Sequence, residues 1–546
     1  MIDKISVKNN IINCVKPQAK DKNSNQNDVS FKGAGALDLL LSGLQACEKN
    51  PMLNVAVVDL MSAILPRTIV ESFTNIFAGV EAFRRESSGL LINCILPSYI
   101  VLACAACMNG AFMPKGANMS GCWADSKMVA AVKDIYKNAK SEDKIKESFK
   151  QILSGMEGFD GDKKVLFKEI LTEKEIDECA EKLKELSTSK VKKKEFKEKI
   201  ETFTKKIAEK THVYENLNIA YSDKGVKTAN LKSALTDATK FYSEFQKVEN
   251  KIGIEEFAKK SKRMLRTKSL MGLSIVLPLA ASMQYINRWI TTKVTGVKGA
   301  PIYEDFGKDS NFDREHARQG LLKQKIISIA SMLGVSLLSM SKLPSLSMLE
   351  FRGAFPSMDL ARIISTVTFA SRMAVADDKN ELREATVRDI ATFASLYFLG
   401  DYAAKITATI LQKRTGETLL NETKKLDKDA NIFKKIKHWV KDVNIKSSEE
   451  VFSKTAKKLK EANIVPNDAQ NEIIKKELKR VKNLRSRCQF SNLVVSLSLL
   501  GFVIPICTRK NTKKKHAEAL KIAQENNQNN INNDVKSKTS LLKGEI

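Results

Sequence analysis

The chain has 546 residues, room for three or four modules, and its 91 Lys and Arg against 63 Asp and Glu give a net charge of +28. Its hydrophobic share of 43% would suit an ordinary soluble protein, but that average hides a segregation into very apolar and very charged blocks. The basic excess points to nucleic acid or to anionic lipid headgroups; the basic patches lack the aromatic interleaving that single-strand binding uses, so nucleic acid is set aside.

The first 33 residues have no basic segment leading into an apolar run, so no secretory leader is read, and they read as disordered. An N-terminal membrane region follows over 34–114. Its second half, GLLINCILPSYIVLACAACMNGAFMP (89–114), lies in a stretch with no charge between Glu86 and Lys115. That exceeds the roughly 20 apolar residues a spanning helix needs. Its first half, 53–80, carries Asp59, Arg67 and Glu71, and is expected to span only if packed inside a bundle. Pro97 lies mid-span, and the same phrasing recurs as AILP (63–66), IVLP (275–278) and FVIP (502–505). Proline removes a backbone donor and bends a helix, which membranes tolerate where neighbours satisfy the freed carbonyl. These prolines are expected to shape a bundle.

Residues 115–268 form a Lys-rich domain of amphipathic helices. TEKEIDECAEKLKEL opens with a capping box, Thr172 and Glu175, and sets Ile176, Cys179, Leu183 and Leu186 on one face. EFKEKIETFTKKIAEK repeats Phe196, Ile200, Phe203 and Ile207 at coiled-coil spacing. Two transmembrane helices are expected in 269–349. One is the uncharged run between Lys268 and Arg288; the other is IISIASMLGVSLLSMSKLPSLSML (326–349), interrupted only by Lys342, whose small residues suit close helix contact in lipid. Between them, Glu304, Asp305, Asp309, Asp313 and Glu315 crowd one loop. Arg314 and Gly320 stand where a calcium loop needs Gly and Glu, so the loop reads as solvated.

Residues 350–412 read as amphipathic or marginally spanning helices. Segment 390–411 has eight Leu, Ile or Phe, worth about −4 kcal/mol in all on an insertion scale, against about +2.5 to +3.5 kcal/mol each for unpaired Asp401 and Lys405. It should not insert alone, although an i,i+4 pairing of these charges would reduce the penalty. A second Lys-rich helical domain spans 413–487, the uncharged run between Arg487 and Arg509 gives a C-terminal transmembrane helix at 488–508, and 509–546 reads as a disordered basic tail. The basic run KKSKRMLRTK ahead of the 269–288 span places the 115–268 block in the cytoplasm.

Arginine is distributed unevenly. Only 18 residues are Arg, all within 67–85, 263–414 or 480–509, next to the apolar segments. Guanidinium pairs bidentately with carboxylate or phosphate and is less hydrated than ammonium. Arg84, Arg85, Arg263, Arg266, Arg288, Arg485, Arg487 and Arg509 are therefore candidate interface or intrabundle arginines, and Arg67, Glu71, Asp401 and Lys405 are candidate intramembrane charges. Catalytic signals do not emerge. The four histidines (His212, His316, His438, His516) lack metal spacing, CAAC (104–107) lies inside an apolar helix where a thiolate is disfavoured, and no phosphate loop or nucleophile elbow occurs. The nine cysteines form no disulfide framework.

The reading is an all-α, multi-pass helical membrane protein of the cell membrane with two amphipathic helical polar domains. It is a non-enzymatic scaffold or transport-related component without a cofactor. Anionic lipid headgroups are its expected partners, with a second copy or another membrane protein beside them. The contrasting expectation is a secreted effector or pore-forming protein that inserts after a soluble state.

Overall fold

The computed structural model describes residues 43–518 apart from 297–319, 341–348, 462–467 and breaks of one to four residues. The N-terminal 33 residues, the acidic loop, Lys342 and most of the basic tail lie outside the described residues.

The chain is mostly helical, and five helices are long and apolar enough to cross a membrane: Pro51–Ser72, Ile76–Phe112, Ile254–Thr295, Leu321–Ser339 and Lys476–Lys515. The expectation of an all-α chain needs correction at three antiparallel strand pairs among the described residues: the hairpins β1 (Glu157–Asp160) with β2 (Lys163–Leu166) and β3 (Asn218–Tyr221) with β4 (Lys224–Lys227), and β5 (Leu420–Glu422) with β6 (Val443–Ile445). At four residues or fewer per strand, none had the length to show an alternating pattern.

Among the described residues, seven long helical stretches make up the bundle. α1 (Pro51–Ser72) is started by Asn50, whose side chain accepts from the amides of Met52 and Leu53, and α2 (Ile76–Phe112) by Asn75. Within the polar domain, α3 (Ser126–Asn138), α4 (Lys144–Ser154), α5 (Glu173–Thr188), α6 (Lys193–Thr211) and α7 (Leu231–Gln246) follow. α8 (Ile254–Thr295) and α9 (Leu321–Ser339) return to the bundle, joined by α10 (Met358–Val375) and α11, which covers 379–415. After α12 (Ile432–Lys441) and α13 (Ser448–Glu461), α14 runs from Asp468 through a π-helical segment, Leu497–Val503, and beyond. Contacts fix the directions. Arg67 meets Glu86 while Ser72 abuts Gly79, so α1 and α2 are antiparallel. Val101 abuts Gly272 while Arg84 meets Thr291, Lys325 reaches the carbonyl of Ala374 while Ser336 meets Thr366, and Ser365 meets Tyr397 while Arg372 meets Asp389, so α2–α8, α9–α10 and α10–α11 are antiparallel too. Gln489 bonds Asn54 while Arg509 bonds Glu71, which makes α14 parallel to α1. Chain direction therefore alternates through the seven helices, and both polar blocks fall at one end.

The larger block has a core of its own. Phe149 packs edge-on against Tyr242 at 5.2 Å, and Phe241 against Phe257 at 5.2 Å. Phe257, Met264 and Leu265 belong to α8, so one continuous helix serves both the polar core and the bundle, and the expected boundary at residue 268 falls inside it. The Thr172–Glu175 capping box forms at the start of α5. The seam of Ile200, Phe203 and Ile207 is buried in this same core beside α7 rather than in a separate coiled coil. The smaller block docks on the larger: the Gly161 amide donates to Ser453 Oγ at 3.0 Å and Lys457 meets Asp160 at 2.7 Å.

The bundle turns apolar side chains outward. In α9 only Met332 and Ser336 are buried, while Leu322, Ile326, Ile327 and Leu338 are exposed, Leu338 at 87%. A band of this kind is far larger than the apolar patches water-soluble chains leave open. Gly334 of α9 has nothing within 4 Å of an added Cβ, but Ser336 of the same small-residue face is buried and accepts from Thr366 of α10 at 2.7 Å; a glycine itself makes the close approach where Gly272 of α8 meets Val101. α9 ends at Ser339, ahead of the expected 349.

Three of the four recurrent prolines follow a π-helical turn. Asp59–Ile64 precedes Pro66, Leu91–Ile95 precedes Pro97, and Leu497–Val503 precedes Pro505, whereas Pro278 lies within ordinary α8. A proline ring clashes with the carbonyl four residues back, and a π turn widens the helix by one residue and moves that carbonyl away. The first and third of these turns pack together: Gly501 abuts Pro66 and the carbonyl of Ser62.

Candidate functional site

At the end of the bundle opposite the polar blocks, six of the seven helices bring charged side chains inward. Arg67 stands in the last two turns of α1, just past Pro66, and is fully buried. Its guanidinium donates to Glu86 Oε1 of α2 at 3.2 Å and to Thr392 Oγ1 of α11 at 2.6 Å. Glu86 is shared: Arg372 of α10 reaches it at 2.9 Å and Arg85 at 3.4 Å. Arg372 also pairs with fully buried Asp389 of α11 at 3.1 Å. Glu71 of α1 is a second hub, with Arg509 of α14 at 3.2 Å, Arg85 at 3.6 Å and Arg388 of α11 at 3.8 Å. α8 contributes Arg288, which meets Glu81 at 3.6 Å and pairs with Glu381. Arg84 donates to Thr291 and, at 3.2 Å, to the carbonyl of Asn287.

Such burial is tolerable because the charges nearly balance. Arg67, Arg84, Arg85, Arg288, Arg372, Arg388 and Arg509 face Glu71, Glu81, Glu86, Glu381, Glu384 and Asp389. Isolated ions would incur a desolvation penalty of several kcal/mol each. At this same depth Ile69, Phe83, Trp289 and Ile506 point outward and are exposed, so the network lies behind an apolar ring.

A cavity of about 40 Å³ opens inside the network beside Glu81, Arg85, Gln284, Asn287, Arg288 and Arg388. At about 10–15 Å³ per water it has room for two to four waters, and it is too small for an organic solute. Gln284 Nε2 and the Nε atoms of Arg288 and Arg372 make no hydrogen bond there, and Arg388 Nε has only Asp389 Oδ1 at 3.5 Å. From the network, hydroxyl contacts continue along the helix seams: Thr368 to Asn93 at 2.8 Å, Ser395 with Ser496 at 3.2 Å and Thr407 to Ser491 at 2.7 Å.

The remaining sequence candidates lie elsewhere. Asp401 and Lys405 do not form the expected pair. Asp401 is exposed, while Lys405 is buried, donates to the carbonyl of Val440 at 3.2 Å and sits 4.8 Å from the Trp439 ring. The helical spacing permits the pairing, but α12 supplies Lys405 with a nearer acceptor and an aromatic face. Arg485 is buried and donates to the carbonyl of Lys446 at 2.8 Å; Arg487 is exposed. Arg263 lies over Phe112, and Arg266 pairs with Glu350 at 3.2 Å.

Arg266 belongs to a second polar cluster, where the larger block meets the bundle. Glu350 accepts from the amide and hydroxyl of Ser126, Arg352 pairs with Asp125 at 2.8 Å, and Lys268 donates to the carbonyl of Cys122. Asp237 accepts from the amide of Trp123 at 2.9 Å, yet burial pushes its carboxyl up to about 6. Burial also raises Asp125, against the lowering effect of Arg352.

Sequence reasoning missed Glu86, Arg372, Arg388 and Asp389. Glu86 closes the uncharged stretch and was read as its boundary; the other three lie on helices too charged to read as spans. Their partners stand up to about 300 residues away, beyond the reach of any local pattern. Among the described residues, no group of three or more His, Cys, Asp or Glu could hold a metal ion. No protein-family model matches the chain, and comparison with curated proteins and with solved structures finds no match.

Proposed function

We propose that the chain is a non-enzymatic, multi-pass component of the cell membrane in a transport-related role, with the buried charge network as a closed gate at one end of the bundle. The observation that carries this reading is the convergence of charged side chains from six passes around a small polar cavity, behind an apolar ring. Charges held at such depth commonly mark ion or substrate routes. A pure scaffold has less need of them, because replacing buried ion pairs by apolar residues is often neutral or stabilising. The hydroxyl seams that continue from the network, and the π turns that break helical regularity, fit helices that shift against one another.

Purified chain reconstituted into vesicles loaded with chloride- or potassium-sensitive dye tests the gate. The wild type should hold its contents. Glu71→Gln leaves Arg509 and Arg388 short of a counter-charge and should increase the leak several-fold. A folded Glu71→Gln protein as tight as the wild type would remove the gate and leave the scaffold role.

A further inference from the structure

The amphipathic helix α12, IFKKIKHWVK, has a use that neither the bundle nor the charge network explains. On a helical projection, Ile432, Phe433, Ile436, Trp439 and Val440 fall within an arc of roughly 120°, while Lys434, Lys435, Lys437, His438 and Lys441 fill the rest. There is no acidic residue in the helix. A helix on the surface of a polar domain should bury its apolar stripe, yet none of these residues is buried. Ile432 is 72% exposed, Phe433 83% and Ile436 56%. The helix is nevertheless firmly placed. Asn431 caps its first turn, β5 and β6 flank it, Trp439 stacks on Tyr402 of α11 at 6.3 Å, and Lys405 donates to the carbonyl of Val440.

We infer that α12 lies in the plane of the membrane surface, with its apolar stripe in the acyl boundary and its lysines on anionic headgroups. Two observations choose lipid over a protein partner. First, α12 is docked where α11 itself turns apolar side chains outward: Leu399 and Ile406 bracket Tyr402 and Lys405 and are exposed, so the open stripe continues the apolar band of the bundle. Second, four lysines in ten residues, with Lys435 and Lys437 flanking the stripe, match an anionic surface; clusters of this size on amphipathic helices recognise acidic headgroups. The inference rests on the membrane reading above and adds to it the element that senses lipid charge, at the face that bears both polar blocks.

The test uses the full chain with Cys14, Cys107, Cys179 and Cys507 replaced by Ser, carrying a spin label at Phe433→Cys or at Lys437→Cys. Each protein is reconstituted into vesicles with or without phosphatidylglycerol in phosphatidylcholine. With the anionic lipid, the label at 433 should relax preferentially with oxygen and the label at 437 with an aqueous nickel chelate. Replacing Lys434, Lys435, Lys437 and Lys441 by Gln should abolish the effect of phosphatidylglycerol on the label at 433. Equal exposure of both positions to the nickel chelate in both vesicles would overturn the inference, as would a label at 433 shielded from both agents, the mark of a covering protein copy. Carbonate extraction of the same vesicles separates the two levels: a chain that is released refutes the membrane reading, whereas a chain that is retained with both labels in water refutes only the role of α12.

Discussion

Arg67 and Asp237 are both buried, but their surroundings treat charge in opposite ways. Arg67 donates to Glu86 and Thr392 inside a buried, nearly charge-balanced network. Arg67→Ala should therefore remove one of the three guanidinium partners of Glu86 and leave a gap where a fully buried side chain stood, reducing stability by about 3–5 kcal/mol, the range for truncating a large buried side chain. Lys137→Ala, which removes the exposed pair with Glu255, should leave the melting temperature of the detergent-solubilised chain near the wild-type value. Asp237 has Lys268 and Lys240 nearby and accepts from the Trp123 amide, but burial outweighs them and lifts its carboxyl from 3.8 to about 6. Its protonated form is thus favoured by folding, and the stability it contributes is complete below about pH 4 and lost as pH rises through 6. The loss amounts to about 3 kcal/mol for a shift of this size. Asp237→Asn keeps the acceptor for Trp123 and should flatten most of the fall in thermal stability between pH 4 and 6, with raised Asp125 supplying the residue of the slope. An unchanged slope would place the titration elsewhere. Arg67 and Glu71 could be singled out in the sequence because they interrupt an apolar run, whereas Asp237 sits in a charged block where one more carboxylate carries no signal.

Among the helices, periodicity and composition located the long apolar passes, while their irregularities depended on neighbours. The ILP-like phrases were visible in the sequence, but the π turns ahead of Pro66, Pro97 and Pro505 were not, and Pro278 shows that proline alone does not impose one. What distinguishes the first and third is the partner, since Gly501 lets the two widened turns meet against Pro66. Glycine contacts were similarly illegible. Gly334 looked suited to close packing and faces open space, whereas an added Cβ at Gly272 would stand 2.3 Å from Val101 Cγ2 and 3.3 Å from its Cβ, and a valine in a helix is held to one preferred rotamer, so the methyl has little freedom to turn away. Gly272→Ala should therefore separate α2 from α8 and reduce stability by about 1–3 kcal/mol. Gly334→Ala, in an unobstructed helix, should be neutral or stabilise by up to about 1 kcal/mol. Thermal unfolding of both variants in the same detergent decides the point, and equal effects would mean that the α2–α8 contact is not close in solution.

For the whole molecule, the question is which ends of the seven passes share a side. The four strong apolar runs alone, 89–114, 269–288, 326–349 and 488–508, put both polar blocks on one side and both termini on the other. α10 and α11 escaped that count because their charges make each unfit to insert alone. In the bundle, Arg372, Arg388 and Asp389 are matched by Glu86, Glu71 and one another. The two helices lie antiparallel, as the contacts of Arg372 with Asp389 and of Ser365 with Tyr397 require. Adding them as a pair preserves the side on which every later segment falls. Adding α1 as well places residues before Pro51 with the polar blocks and leaves the tail opposite. Reporter fusions after Ser120 and Glu450 should then report the same side, cytoplasmic by the run KKSKRMLRTK ahead of the apolar part of α8, and fusions after Ser310 and Asn530 the other. The contact of Gly161 with Ser453 makes the first half of this prediction strict, because two blocks that touch cannot be separated by a bilayer. A fusion at Glu450 opposite to that at Ser120 would mean that only one or three of α8, α9, α10 and α11 cross, and the alternating bundle that assembles the charge network could not then form.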